Sequence, residues 1–211
     1  MGLIRLLFDD PASFFILVPL LFYSVICHEM AHGWVAYLFG DDTAKRYGRL
    51  SFNPKVHFDL VGTLSLLFVG FGWAKPVPVD FSSLRRSKIA VICVSLAGCA
   101  VNILIATVSI ILMVVLNVSA YSFVGTALKT LADINIILGA FNLIPIPPLD
   151  GSKVLMEFLP YRAKVALSQI EPYGFFILIF LLFTGIITPV IGFVYKMILF
   201  FIVIILSLFG Q

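Results

Sequence analysis

Two histidines four residues apart, His28 and His32, lie inside a long apolar stretch, and Glu29 lies between them. On an α-helix this spacing places both imidazoles on one face, one turn apart, where they can bind the same zinc ion. Glu29 flanks them and could take a proton from a metal-bound water. Ionisable groups in a membrane span are costly and usually functional. The HExxH pattern therefore predicts a zinc site rather than polar residues stacked in a helix bundle.

A catalytic zinc site normally has three protein ligands and keeps one position open for water. Asp150 is the candidate third ligand, because the helical rise puts it and His32 at a similar depth below the cytoplasmic boundary. Asp150 could also cap a helix after the proline break that precedes it, and the two roles are compatible. Glu157 and Glu171 are alternative third ligands. The predicted cofactor is one Zn²⁺ ion per chain.

Other polar residues are candidates for handling a substrate. Asn142 could donate its amide to a carbonyl oxygen that becomes an oxyanion, or cap the helix end that the prolines create. Asn102 could bind a substrate backbone, although the small residues before it favour a role in helix packing. Residues 72–79 are too rich in proline for a helix and could pair as an edge strand with an unwound substrate, or simply form a cytoplasmic loop. The candidate contacts in this segment are Lys75, Pro76 and Val77.

His57 is the only histidine outside the HExxH pattern. It could visit the metal as an accessory or inhibitory ligand. The preferred interpretation is a loop residue held by hydrogen bonds near the entrance of the cavity.

The composition indicates what encloses such a site. Of the 211 residues, 61% are hydrophobic and 12% are charged, and the mean hydropathy is +1.12. Soluble chains carry about 25% charged residues, so this chain has too few charges to cover a surface in water. A disordered chain, a secreted disulfide scaffold and an ordinary cytosolic enzyme are excluded. The net charge of +3 is mild, and basic residues in membrane proteins mostly report topology, so no nucleic-acid partner is predicted.

The apolar stretches predict an all-α bundle of about five to six transmembrane helices. Residues 11–39 form a first long span and residues 89–118 a second. A third crossing begins near residue 126 and breaks at residues 145–148, where three prolines remove backbone donors. Broken backbone at membrane depth is tolerated only where it is buried in protein or lines a watery cavity, so the break marks a site. Residues 173–209 are long enough for a hairpin of two spans, or for one span and a tail.

A short apolar run, residues 60–71, separates two basic loops, residues 40–58 and 72–88. If the run crossed the membrane, the two loops would face opposite sides, against the positive-inside tendency. The run is also too short to span comfortably. We predict a re-entrant or short β element between the first two long spans, with both loops on the cytoplasmic side.

The predicted organisation is one integral membrane domain over residues 1–211. Its catalytic core covers about 12–160, and a C-terminal hydrophobic hairpin covers about 173–209. The length leaves little room for an appended soluble module.

Several linked segments resemble the site-2 proteases, a family of intramembrane zinc metalloproteases, and in particular their short forms. HEMAH at residues 28–32 and NLIPIPPLDG at residues 142–151 resemble the family's paired zinc motifs, in the same order. Residues 48–54, 57–64 and 72–79 resemble the loops between these motifs. The resemblance covers most of the chain up to about Leu159.

The resemblance implies that His28, His32 and Asp150 are the ligands and that Glu29 is the catalytic acid and base. Two positions depart from the family pattern. Cys99 occupies the place of a common proline before Asn102, and Leu60 follows Asp59 where a proline is often found.

The expected function is hydrolysis of peptide bonds within or near transmembrane segments of membrane proteins, as in regulated intramembrane proteolysis. The expected partners are transmembrane protein substrates and the lipid bilayer of a prokaryotic cell, with the active site nearer the cytoplasmic side; the oligomeric state is not predicted. The alternative is a zinc-binding membrane protein without proteolytic activity, either a transporter or a pseudoprotease. A transporter would be expected to show related halves or a polar through-path, and a pseudoprotease to lack Glu29.

Overall fold

The structure, a computed structural model, describes residues 2–84 and 87–208, which are mostly α-helical and contain no strand. The helices in chain order are α1 (Leu3–Asp9), α2 (Pro11–Leu38), α3 (Thr43–Arg46), α4 (Pro54–His57), α5 (Leu60–Val69), α6 (Phe81–Leu84), α7 (Lys88–Val115), α8 (Phe123–Asn142), α9 (Asp150–Phe158), α10 (Tyr161–Ile170), α11 (Gly174–Phe183) and α12 (Thr188–Leu208). A short 3-10 turn, Glu171–Tyr173, joins α10 to α11.

Within the described residues, five helical stretches are long and apolar enough to cross a membrane, which confirms the predicted all-α polytopic membrane protein. They are Pro11–Leu38, Lys88–Val115, Phe123–Asn142, Tyr161–Phe183 and Thr188–Ser207. The fourth stretch begins at Tyr161, ahead of the hairpin predicted from residue 173, because α10, the 3-10 turn and α11 follow one another directly. Residue 209, the predicted end of the hairpin, lies outside the described residues, and the domain boundaries stay predictions.

Short polar side chains begin the three long helices that form the centre of the bundle. The Asp10 carboxylate accepts from the backbone N–H of Ser13 before α2, at 3.1 Å. Ser87 and Ser122 make the corresponding contacts before α7 and α8. Each contact satisfies one backbone donor that the first helical turn leaves free. The sequence therefore determines locally where each of these spans starts.

The short apolar run after residue 59 is a helix in the structure. Asp59 begins α5 by accepting from the backbone N–H of Gly62, at 2.8 Å, and Gly70 ends it with a left-handed φ of 88°. The sheet-like alternative is therefore not seen for this run. Its re-entry into the bilayer stays a prediction.

Small residues allow α7, α8 and α12 to pack closely. A buried cluster joins them and consists of Ala106, Ala132, Ile136, Ala140, Ile198 and Ile202. Helices in a membrane gain little from the hydrophobic effect, so close van der Waals contact through small residues is the main source of their association. The alanines on α7 and α8 supply that close contact.

The helical backbone stops at the predicted proline break. Helix α8 ends at Asn142, and α9 begins at Asp150 after seven non-helical residues. The chain folds back tightly at the break, because a Cβ atom on Gly151 would lie 2.3 Å from the backbone oxygen of Leu143. Only glycine fits at this point, and the fold-back places Asp150 against the bundle centre.

Candidate metal centre

Helix α2 and the start of α9 bring three potential ligand side chains together. The Nε2 atoms of His28 and His32 lie 3.1 Å apart, and Oδ2 of Asp150 lies 3.1 Å from the first and 3.0 Å from the second. We call His28, His32 and Asp150 the triad. Each of its members is more than nine-tenths buried. The structure thus brings together the three residues that the sequence proposes as ligands.

Helix α7 fixes which nitrogen of each histidine faces inward. Nδ1 of His32 lies 2.6 Å from the backbone oxygen of Val94, which can only accept a hydrogen bond, so this Nδ1 carries the proton. Nδ1 of His28 lies 2.6 Å from Oδ1 of Asn102, with the same consequence. When each ring is neutral, Nε2 is then its unprotonated nitrogen, and this atom faces the other members of the triad.

The donor set of the triad fits a zinc ion. Three atoms that can bind a metal converge at 3.0–3.1 Å. With both imidazoles neutral and protonated at Nδ1, all three are acceptors, and a cation between them would relieve their mutual repulsion. Zinc–nitrogen distances of about 2.0–2.1 Å in a tetrahedral site separate neighbouring ligand atoms by about 3.3 Å, close to the spacing seen. Two neutral imidazoles and one carboxylate are ligands that zinc accepts. The set leaves a fourth tetrahedral position for water.

The alternative third ligands lie elsewhere. Glu157 pairs with Lys164 at 3.2 Å, and Glu171 begins the 3-10 turn between α10 and α11. In residues 2–84 and 87–208, the triad is the only group of three His, Cys, Asp or Glu side chains close enough to share a metal ion. The other oxygen of Asp150 contacts Nζ of Lys153 at 3.2 Å, a partner that the sequence interpretation did not consider.

Glu29 is half-buried beside the triad and contacts the proline-rich segment 72–79. Its Oε2 accepts from the backbone N–H of Val77 at 2.8 Å. The Lys75 carbonyl accepts from Nη2 of Arg49 at 2.6 Å, and the Lys75 N–H donates to the His57 carbonyl at 2.9 Å. Three backbone groups of the predicted substrate-binding edge are therefore already bonded within the protein.

Arg49 is a charged residue near the site that the sequence interpretation missed. Its side chain is buried, and the contact with Lys75 fixes segment 72–79 next to Glu29. Burial lowers the pKa of the Arg49 guanidinium from its usual value, and the nearby Glu29 charge acts in the opposite direction. Arginine nevertheless stays protonated at neutral pH, so a positive charge lies close to Glu29.

The contacts of Asn102 favour its packing role over the substrate-binding hypothesis. Its side chain is fully buried, with Oδ1 against His28 and Nδ2 donating to Asn135 at 2.7 Å. Both polar atoms of the amide are occupied inside the bundle. Asn102 therefore contacts a candidate ligand and does not face a substrate.

Asn142 and His57 do not contact the triad. Asn142 is the last residue of α8, and its Nδ2 donates to the backbone oxygen of Leu138, at the C-terminal end of its own helix, at 3.0 Å. His57 is fully buried in its loop, with Nε2 2.8 Å from the backbone oxygen of Ser51. These contacts favour the loop role of His57 over a ligand role. The oxyanion role of Asn142 stays a prediction.

Comparisons with known proteins agree with this chemistry. A family model described as Peptidase family M50 matches residues 118–185, which contain the proline break and Asp150. "Putative zinc metalloprotease YwhC" of Bacillus subtilis is 38% identical over 176 residues, covering 80% of this chain and 80% of that protein. No solved structure matches the chain.

Two more distant relatives carry similar names. "Putative zinc metalloprotease Rip2" of Mycolicibacterium smegmatis is 29% identical over 169 residues, 76% of this chain and 64% of the relative. "Zinc metalloprotease MJ0392" of Methanocaldococcus jannaschii is 31% identical over 149 residues, 68% of this chain and 34% of the relative. With identity of this level to YwhC along most of both chains, and with five spans around a zinc-compatible triad, the protein belongs to peptidase family M50, the site-2 protease family, and is an integral membrane zinc metalloprotease.

Proposed function

We propose that this metalloprotease hydrolyses peptide bonds within or near transmembrane segments of other membrane proteins, as in regulated intramembrane proteolysis. The observation that carries the proposal is the burial of the triad, with Glu29 half-buried beside it, among helices long and apolar enough to span a membrane. A site enclosed in this way is reached from the bilayer or from its boundary, so its natural substrate is a peptide held there.

In this proposal His28, His32 and Asp150 hold one zinc ion per chain. When bound, zinc lowers the pKa of a water molecule and polarises a carbonyl group. Glu29 acts as general base and then general acid: the Val77 N–H holds its Oε2, which leaves Oε1 to take a proton from the attacking water and pass it to the leaving amine. Asn142 donates its amide to the developing oxyanion once its bond to Leu138 is exchanged for the substrate.

Substrate handling is assigned to segment 72–79. A helical substrate hides its own amides and must unwind before it is cut, and an extended segment offers it backbone partners. Glu29 and Arg49 occupy Val77 N–H and the Lys75 carbonyl. A substrate strand on this edge therefore displaces those contacts, or it pairs through Ala74, whose backbone groups make no hydrogen bond in the described part of the chain.

Charge distribution supports an active site nearer the cytoplasmic side of a prokaryotic cell membrane. The two loops that flank α5 carry basic residues, including Lys45, Arg46, Lys55 and Lys75. Both loops contact the C-terminal half of α2, where His32 lies. Loops rich in Lys and Arg stay on the cytoplasmic side.

Replacing Glu29 tests the proposal. Purified Glu29→Gln, reconstituted with a panel of single-span substrates, should lose cleavage by about 10²–10⁴-fold while keeping its zinc. Glu157→Gln, which removes a carboxylate outside the site, is the matched control and should cleave like the unmodified protein. A chelator should abolish cleavage by the unmodified protein.

The same experiment separates a protease from a zinc-binding membrane protein without hydrolytic activity. If the unmodified protein binds zinc and cuts no substrate in the panel, the second interpretation gains support. Full activity in purified Glu29→Gln would contradict the assignment of Glu29.

A further inference from the structure

A chain of buried polar side chains continues from His28 away from the triad. Asn102 lies against Nδ1 of His28, and its Nδ2 donates to Oδ1 of Asn135 at 2.7 Å. Nδ2 of Asn135 then donates to Oγ of Ser24 at 2.8 Å. Ser24 precedes His28 by one helical turn on α2, so the chain leaves α2, crosses α7 and α8, and returns to α2. Ser24, Asn102 and Asn135 are each 2% exposed or less.

Two backbone carbonyls fix the direction of these hydrogen bonds at the Ser24 end. The Ser24 hydroxyl donates its single hydrogen to the Leu20 carbonyl at 2.7 Å, so its oxygen can only accept from Asn135. The same Nδ2 of Asn135 also lies 2.8 Å from the Leu131 carbonyl. A flipped Asn135 amide would put its oxygen against the Leu131 carbonyl, which cannot donate, and would require the Ser24 hydroxyl to turn away from the Leu20 carbonyl.

The direction of the hydrogen bonds at Ser24 also determines the hydrogen bond to His28. With Nδ2 of Asn135 held by Ser24 and Leu131, its Oδ1 must face Asn102, which requires the nitrogen of the Asn102 amide at that contact. The oxygen of Asn102 then faces His28, and an oxygen accepts only from a protonated Nδ1. Each hydrogen bond in the series thus determines the orientation of the next side-chain amide, and the last one determines the tautomer of His28.

We propose that Ser24, Asn135 and Asn102, which we call the amide relay, are positioning residues that hold His28 in the tautomer with its proton on Nδ1. The inference rests on the proposed function, because it takes the free Nε2 of His28 as a zinc ligand. Hydrogen bonds from the outer nitrogen of a metal-binding histidine fix its tautomer and ring orientation. The relay supplies that bond through side chains of three helices.

The two histidines of the triad are held by different means. His32 has a backbone carbonyl, that of Val94, as its partner, so no side-chain substitution removes this bond directly. His28 depends on three side chains, of which Asn135 and Ser24 contact no member of the triad. Neutral amides hold the direction of the series without adding a charge to the apolar bundle, where a charge is costly.

Zinc affinity is the quantity that tests the relay. The variants are made in a Glu29→Gln background, which keeps the ligand set and removes peptidase chemistry from the measurement. Zinc affinity is measured in detergent by competition with a chelator of known affinity. Asn102→Leu should weaken zinc binding by up to about 100-fold and Asn135→Leu by about tenfold, within the range for partners of metal-binding histidines. Ser24→Ala should have a smaller effect in the same direction.

Matched controls separate positioning from simple loss of stability. Ile136→Ala removes an equally buried side chain next to Asn135 on α8, and Ser109→Ala removes a buried hydroxyl on α7 that bonds only to its own helix, at Ile105. Both should keep zinc affinity within about twofold of the background protein, although Ile136→Ala leaves a cavity. A second readout is the visible absorption of the Co²⁺-substituted protein, which should change in Asn135→Leu and stay unchanged in both controls.

Zinc binding by the variants and by the background protein separates failure of the amide relay from failure of the proposed protease function. If Asn135→Leu binds zinc as tightly as the background protein, or no more weakly than Ile136→Ala, the relay does not position His28 and the proposal is wrong, while the proposed protease function stands. If the background protein itself binds no zinc, the proposed function fails, and the relay fails with it.

Discussion

The central helices α2, α7 and α8 and the C-terminal helices α11 and α12 bury their residues very differently. Half of the most apolar stretch of α7 is buried, against 11% of the corresponding stretch in each of the last two spans. The central helices carry linked buried polar side chains, whereas the last two expose large apolar ones, such as Phe176 and Phe193. The candidate ligands therefore lie in the part of the bundle where neighbouring helices supply each polar side chain with hydrogen-bond partners. The C-terminal spans leave most of their surface exposed.

The largest expected effect comes from removing a member of the triad. Asp150→Ala should weaken zinc binding by more than about 100-fold, because loss of a direct ligand costs more than loss of an outer partner. Cleavage should fall with zinc content. Asp133→Asn, a carboxylate on α8 whose partner is Tyr195 on α12, is the control and should keep its zinc. Both variants are tested by measuring their zinc content after dialysis. Full zinc retention in Asp150→Ala would refute the assignment of Asp150 as a ligand.

Adding one methyl group at a glycine in each region tests the difference between the central and the C-terminal helices. A Cβ atom on Gly98 of α7 would lie 2.4–2.6 Å from ring atoms of His28, whereas one on Gly192 of α12 would meet nothing within 4 Å. Gly98→Ala should therefore displace the imidazole and reduce zinc affinity by at least about tenfold. Gly192→Ala should leave affinity and cleavage unchanged. Equal behaviour of the two variants would show that α7 does not fit tightly against His28.

Arg49 tests whether contacts outside the triad matter to catalysis. Arg49→Met keeps the length of the side chain and removes its hydrogen bond to the Lys75 carbonyl. We expect cleavage to fall by roughly tenfold, since segment 72–79 is then free to move away from Glu29, while zinc content stays unchanged. Lys55→Met, an exposed basic residue of the same loop, is the control. Loss of zinc in Arg49→Met would mean that Arg49 supports the bundle itself.

The smallest expected effect concerns the C-terminal region. Tyr195→Phe removes the hydroxyl that donates to Oδ1 of Asp133 at 2.8 Å, a hydrogen bond between α12 and α8 that adds to their apolar packing. Hydrogen bonds between helices in a membrane contribute about 0.6 kcal/mol on average, so the free energy of unfolding should fall by about 1 kcal/mol or less. Cleavage should be unaffected. A marked loss of cleavage would show that α12 supports the catalytic region.

The sequence predicted the triad because its members obey rules that act at short range. Helical spacing brings His28 beside His32, and the proline break with the depth of Asp150 identifies the third residue. The same rules predicted the long spans. The run at residues 60–71 was ambiguous, since a short apolar stretch suits a helix or a strand, and the structure gives helix α5.

What the sequence did not predict depends on how helices rotate about their axes. Helix α2 is apolar on nearly all sides, so no pattern indicates which face meets α7 or α8. The contact of Asn102 with Asn135 joins positions 33 apart, and that of Val77 with Glu29 joins positions 48 apart. For this reason the sequence left Asn102 between a packing role and a substrate role, whereas the bundle turns it toward His28.

The position of Asp150 late in the sequence matters for the synthesis and membrane insertion of the protein. Its carboxylate meets a histidine 122 positions earlier in the chain. During synthesis the first span is made and inserted with both histidines long before the ribosome reaches Asp150. A nascent chain therefore lacks the complete triad until its third span and the following turn have been translated.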